Sequence, residues 1–214
     1  MPTTEIALLR LSPGNSILDM EFRRKLAHAK IVMQTETGRE VYYMHQIEDP
    51  TCLYIITEWK SLFQHMEVFI PSSANQSLLQ SLEGMLTVEW LQHIDAPNAD
   101  LPLPETKTQM EAAYRGQPVW SIVRHMVKAG EKERFQRSFE ANKAYLQDFV
   151  TEGHLGGGWR VDGDEGKDEF VLVCPWKSVE QHLEFGKTEG FEKYARIKDF
   201  IDEADIKHAM LLNI

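Results

Sequence analysis

The sequence predicts an α+β fold made of two tandem βαββαβ units, on three observations. The chain repeats itself at a fixed spacing, each repeat has the same order of strand-length apolar runs and amphipathic helical stretches, and Gly, Pro, Asn and Asp clusters punctuate them. The repeat is plainest in Glu58-Trp-Lys-Ser-Leu-Phe-Gln-His-Met-Glu-Val-Phe69 and Pro175-Trp-Lys-Ser-Val-Glu-Gln-His-Leu-Glu-Phe-Gly186. Trp59, Lys60, Ser61, Gln64, His65 and Glu67 each recur 117 positions later as Trp176, Lys177, Ser178, Gln181, His182 and Glu184. Upstream, Cys52–Thr57 matches Glu169–Cys174, and Ile6-Ala-Leu-Leu-Arg10 resembles Trp120-Ser-Ile-Val-Arg124. Downstream, His93 pairs roughly with His208.

A chain of 214 residues suits one large domain or two small ones, and the repeat selects two units, residues 1–95 and 118–214. Between them, residues 96–117 read as a Pro-rich linker, with three prolines in the eight residues from Pro97 to Pro104. In the first unit, residues 4–11 are a strand and Ser12-Pro-Gly14 a turn. Residues 17–35 suit an amphipathic helix ended by Gly38. Glu40–Ile47 and Cys52–Thr57 form a hairpin about Glu48-Asp-Pro50. Ser61 caps a helix that breaks at 71–75 and resumes over 76–84, and Leu86–Ile94 is the last strand. The second unit follows suit: a strand at 119–127, a helix at 131–151, a hairpin of 153–162 with 169–174, a helix at 178–201 and a strand at 205–212.

This order is the ferredoxin-like unit, whose right-handed crossovers put both helices on one sheet face. Leu53-Tyr-Ile-Ile and Phe170-Val-Leu-Val are continuous apolar runs, whereas a sheet wet on one face alternates. The expected solution is two units packed sheet to sheet as a pseudo-dimeric α+β barrel.

Hydrophobic residues make up 43%, ample for a core, and no apolar run is long enough to span a bilayer. The 33 acidic against 23 basic residues, net −10, exclude a general nucleic-acid binder, which needs a basic face. Cys52 and Cys174 cannot make a disulfide framework, and the opening Met-Pro-Thr-Thr-Glu-Ile lacks the features of a secretory leader. The expectation is a cytoplasmic protein that meets neither membrane nor nucleic acid, and any homodimer of such chains would use the helical outer surface.

Trp-Lys-Ser-x-x-Gln-His-x-Glu after an apolar strand resembles the dimeric α+β barrel superfamily, in its antibiotic-biosynthesis-monooxygenase branch. The tandem form, with Ser72-Ser-Ala-Asn-Gln-Ser-Leu-Leu79 and Val88-Glu-Trp-Leu-Gln-His93, is similar to a group of fungal proteins. The resemblance implies a ligand pocket between the sheet and helices of each unit. It also implies a small cofactor-independent enzyme of polyketide or aromatic secondary metabolism, oxygenating, decarboxylating or cyclising a hydrophobic substrate. The competing expectation is a non-catalytic ligand-binding or stress-related barrel. A third is haem binding, since haem-degrading relatives hold iron on a helix histidine near this position; here the Trp-to-His spacing of six is shorter.

Each candidate residue carries a structural reading beside the functional one. His65 and His182 either hydrogen-bond within the fold or move protons, because imidazole titrates near neutral pH. His93 and His208, on apolar strand faces, are either satisfied core residues or polar groups aimed into a pocket. Trp59 and Trp176 either close the sheet against a helix or wall a pocket for an aromatic ligand. Arg10 and Arg124 interrupt apolar strands, so each needs a carboxylate partner such as Glu58 or Glu89, or else holds an anionic substrate. Tyr43 and Trp159 are core aromatics or pocket lining. Gly156-Gly-Gly158 marks a bulge or a close ligand approach. The sequence has no nucleophile elbow, P-loop, HExxH or paired CxxC, so no metal or nucleotide cofactor is expected. If the histidines are catalytic, His65 or His182 must reach a cavity large enough for a two-ring ligand.

Overall fold

The computed structural model describes residues 1–214. The chain forms two compact units, Met1–Asn98 with Leu211–Ile214, and Ala99–Met210. The first runs β1 (Thr3–Leu11), α1 (Met20–Thr37), β2 (Val41–Gln46), β3 (Cys52–Trp59), a π-helical turn (Gln64–Phe69), α2 (Ser73–Ser81) and β4 (Leu86–Ile94). Its strands lie in the order β4-β1-β3-β2 with antiparallel neighbours, the split βαβ arrangement. Helix α1 begins where the Asp19 side chain accepts the Phe22 N–H and ends at left-handed Gly38, φ 67°. Phe22, Leu26, Ala29 and Met33 form its buried stripe.

Ser61 caps the next segment as expected, accepting the Gln64 N–H at 3.1 Å, but the winding is π rather than α. Ile70 N–H reaches back to the His65 carbonyl, and the widened turn buries both His65 and Phe69. Helix α2 starts earlier than predicted because Ser72 caps it, accepting the Asn75 N–H.

The second unit contains α3 (Lys107–Ala113), β5 (Val119–Val127), α4 (Lys132–Gln147), β6 (Gly156–Trp159), β7 (Glu169–Trp176), α5 (Val179–Phe185), α6 (Glu189–Tyr194), a 3-10 turn (Ala195–Phe200) and β8 (Ile201–Leu211). Its order β8-β5-β7-β6 reproduces that of the first unit. The single helix predicted over 178–201 is three pieces, because Gly186 ends α5 and the Thr188 side chain caps α6.

The connector is more ordered than its prolines suggest. Thr106 and Gln109 form a capping box for α3, and Leu101, Leu103 and Ala113 are buried. Trp120 Nε1 donates to the Pro102 carbonyl at 2.7 Å. Gly156-Gly-Gly158 explains how the connector fits: a Cβ on Gly156 would stand 2.2 Å from the Asp100 carbonyl oxygen. The close approach is made by the chain's own backbone, not by a ligand.

Strands β1, β3, β5 and β7 are buried along nearly their whole length, as their continuous apolar runs predict. Apolar side chains also fill a core between sheet and helices in each unit. No helix is long and apolar enough to cross a membrane.

Gly156→Ala is therefore expected to cost about 1–3 kcal/mol through forced displacement of the connector. Thermal unfolding should register this as a Tm several degrees lower, while Gly190→Ala, whose added Cβ meets only ordinary contacts at 3.6 Å or more, should lower it less.

Candidate functional site

The strand registers assemble the same aromatic cluster twice. In the first unit Thr3 lies opposite Trp59 on β3, and Glu5 lies opposite His93 on β4. In the second, Val119 lies opposite Trp176 and Ser121 opposite His208. His93 and His208 are thus equivalent, and Glu5 and Ser121 occupy the same place.

Four groups interlock in the first unit. Trp59 and His65 stack with centroids 4.1 Å apart and an interplanar angle of 10°. His65 Nδ1 lies 2.6 Å from His93 Nε2, a contact that requires one nitrogen to donate and the other to accept. Trp59 Nε1 donates to Glu5 Oε2 at 2.7 Å, and His65 Nε2 is 3.6 Å from that oxygen. Glu5 Oε1 is left without a protein partner at the wall of a cavity of about 270 Å³. That cavity lies between sheet and helices, walled by Leu9, Leu26, Met33, Phe69 and other apolar side chains, with Glu5, His65, Tyr43 and Asn75 its polar groups.

Burial dominates the electrostatics here. Glu5 is 3% exposed, and desolvation pushes its carboxyl up to about 7 against the opposing pull of the Trp59 hydrogen bond and the charge of His93. Near neutral pH it can therefore both take and return a proton. With Glu5 ionised, His93 N–H can donate to His65 Nδ1 and His65 Nε2–H can point at the carboxylate. With Glu5 protonated, the same chain can run in the other direction.

The second unit keeps the scaffold and loses the acid. Trp176 stacks on His182 at 4.3 Å and 11°, and His182 Nδ1 lies 2.8 Å from His208 Nε2. Trp176 Nε1 donates to the Ser121 hydroxyl at 2.9 Å, where its counterpart meets a carboxylate. The adjoining cavity is smaller, about 120 Å³.

Other sequence-derived candidates take different places. His65 and His182 border cavities, whereas His93 and His208 sit behind them, so a direct contact between either strand histidine and a ligand is not provided. Trp59 is fully buried behind His65 rather than lining the cavity; Trp176 does border its own. Tyr43 borders the first cavity, its hydroxyl donating to the Leu26 carbonyl at 3.1 Å.

The arginines follow the carboxylate-paired reading and not the substrate-holding one, and their alignment is corrected. Arg10 pairs with Asp49 at 2.7 Å and Glu89 at 3.2 Å, and Arg124 makes a two-point contact with Glu169, so neither guanidinium faces the histidine cavities. Nor are they equivalent: Arg10 lies opposite Cys52, and the matching residue of the second unit is Met126, opposite Glu169. Trp159 borders neither cavity; its Nε1 donates to Gln136 and the Lys132 ammonium sits 4.5 Å over its ring.

Glu5 escaped the sequence reading. Its only signal was a carboxylate in phase with Ala7 and Leu9 on one face of an apolar strand.

Haem does not fit the first unit. Both nitrogens of His65 face protein groups, and about 270 Å³ is below the ~300–1,000 Å³ of drug-sized ligand sites.

No protein-family model matches the sequence, and no curated protein matches it. Solved structures do match over 99% of the chain. A provisionally assigned monooxygenase from Fusobacterium nucleatum subsp. nucleatum aligns with TM-score 0.65 and 14% identity, over 93% of its own length. An anthrone oxidase-like protein aligns with TM-score 0.63 and 10% identity, over 92% of its length. A provisionally assigned chlorite dismutase aligns with TM-score 0.60 and 11% identity, over 95% of its length. The chain shares the fold of these proteins along its length.

The raised Glu5 value makes stability depend on pH. The folded chain holds this proton to about pH 7 and the unfolded chain only to about 4.5, so the favourable contribution is full below 4.5 and is lost as pH rises through 7. Denaturant unfolding from pH 4.5 to 8 should show the wild type losing roughly 3 kcal/mol more than Glu5→Gln. Parallel stability curves for the two proteins would contradict the assignment.

Proposed function

We propose that the chain is a monooxygenase-like enzyme of the antibiotic-biosynthesis-monooxygenase type. Its site is the first-unit cavity, and its substrate is a small aromatic ketone or phenol of secondary metabolism. The observation that carries this reading is the Glu5 carboxyl, which accepts from Trp59 through one oxygen, borders an apolar cavity and titrates near neutrality. The shared fold with monooxygenase and oxidase-like proteins supports the choice of oxygen chemistry.

Glu5 acts as general base on a C–H flanked by a carbonyl and an aromatic ring. The electron pair delocalises into the enolate, and apolar walls keep water away. Molecular oxygen adds at the carbanion, so that R₂CH⁻ and O₂ give R₂CHOO⁻, which takes its proton back from Glu5. Loss of water then leaves R₂C=O, for a net R₂CH₂ + O₂ → R₂C=O + H₂O. The oxidising equivalents come from O₂, and the reactivity comes from the substrate's own conjugation. If an internal carbonyl replaces oxygen as the acceptor, the same carbanion closes a ring. His65 exchanges the proton with Glu5, and His93 is a positioning residue that sets the His65 tautomer. The stacked Trp59 fixes the plane of His65.

The two-ring ketone 2-tetralone serves as a probe. Wild-type protein should accelerate deuterium exchange at its C1 methylene, followed by NMR in D₂O, and should consume oxygen with it. Glu5→Gln should lower the exchange rate by about 10²-fold or more, the usual worth of a positioned base. The wild-type rate should rise with pH through about 7, as the base form of Glu5 accumulates. Equal exchange in the variant would reject the base. Tight binding of the ketone without exchange would favour the non-catalytic barrel instead.

A further inference from the structure

The second unit is not a blunted copy of the first, because its polar group has moved rather than vanished. Ser121, Val123 and His125 point from one face of β5 into the 120 Å³ cavity, as Glu5, Ala7 and Leu9 point from β1 into the other. Register makes Ser121 the counterpart of Glu5, and His125, opposite Phe170, the counterpart of Leu9, opposite Leu53. The carboxylate has been replaced by a hydroxyl, and a leucine by an imidazole four residues further on.

His125 is 3% exposed. Its Nδ1 lies 3.2 Å from the Phe170 carbonyl, and a carbonyl only accepts, so Nδ1 carries the hydrogen. Nε2 has no hydrogen-bond partner in the protein. Burial pushes the imidazole down to about 4, so at neutral pH Nε2 is a bare lone pair. A buried acceptor of this kind lacks its donor. The other polar side chains at the cavity include His182, whose Nδ1 is engaged by His208, and Ser121, Cys174 and Tyr194. Ser121 accepts from Trp176, and burial pushes both the Cys174 thiol and the Tyr194 phenol up, which keeps them protonated. Lys198 is the one formally charged side chain at the cavity; it is exposed, and its ammonium lies 4.8 Å over the Phe191 ring.

We propose that the second unit is a separate binding site for a small, neutral, single-ring molecule carrying one hydroxyl, which donates to His125 Nε2. The volume sets the size: about 120 Å³ is close to the ~150 Å³ cavity that accepts benzene. The chemistry sets the class. A phenol buries its ring against Val123, Leu146, Leu172 and Phe185 and satisfies the imidazole, while an anion would lose its hydration with only the rim lysine in return. The proposal does not rest on the role of Glu5.

The test measures binding of 4-fluorophenol, 4-fluoroanisole and 4-fluorobenzoate to the full chain by fluorine NMR. Wild type should bind the phenol about tenfold more tightly than the anisole, which has the ring but no donor. His125→Leu, which installs the first-unit residue, should bring the two within about twofold. Val123→Phe, which fills the cavity, should abolish the phenol's advantage too and serves should the leucine variant not fold. Equal wild-type affinities, an advantage that survives either variant, or tighter binding of the benzoate would each overturn the proposal.

Discussion

A carboxyl group withdrawn from water near the start of the first strand is the constraint around which the first unit is arranged. Removing a carboxylate from water is costly unless it is paired or neutralised. Glu5 does some of each: it takes one indole N–H, faces one imidazole at ion-pair distance, and holds its proton to about neutrality. Every part of that arrangement depends on register. Pairing of β1 with β3 delivers Trp59, pairing with β4 delivers His93, and the π-wound turn after β3 swings His65 onto the indole face. A one-residue slip of β1 would turn Glu5 to the other sheet face and dismantle all of it.

The duplicated scaffold separates what the fold requires from what chemistry requires. The Trp–His stack and the His–His contact occur in both units with nearly the same geometry, so they belong to the architecture. The difference lies along the first strand of each unit. Glu5 against Ser121 and Leu9 against His125 leave one cavity with a proton-exchanging acid and the other with a neutral acceptor. Shared geometry orients the groups; the unshared residues give each cavity its character.

Much of the fold was legible because it was written twice. The repeated Trp-Lys-Ser-x-x-Gln-His fixed the unit, and Ser61, Ser178 and Gly38 marked helix ends correctly. The failures have physical causes. Aligning Arg10 with Arg124 was a two-residue slip, which a period-two strand pattern cannot detect because the same side chains stay on the same face. The connector helix was masked by prolines that precede it, and the break between α5 and α6 depends on one threonine cap. The histidines and tryptophans of the site were found because they repeat. Glu5 and His125 were missed for the opposite reason: each occurs in one unit only, and its meaning comes from partners across the sheet that are distant in sequence.

The most direct test is a carbon-13 NMR titration of the Glu5 side-chain carboxyl, assigned by its loss in Glu5→Gln. A midpoint near 7 in the intact chain would establish a buried, proton-exchanging acid at the first-unit cavity. A midpoint near the ordinary 4.5 would contradict it, and with it the proton chemistry assigned to the Trp59–His65–His93 cluster.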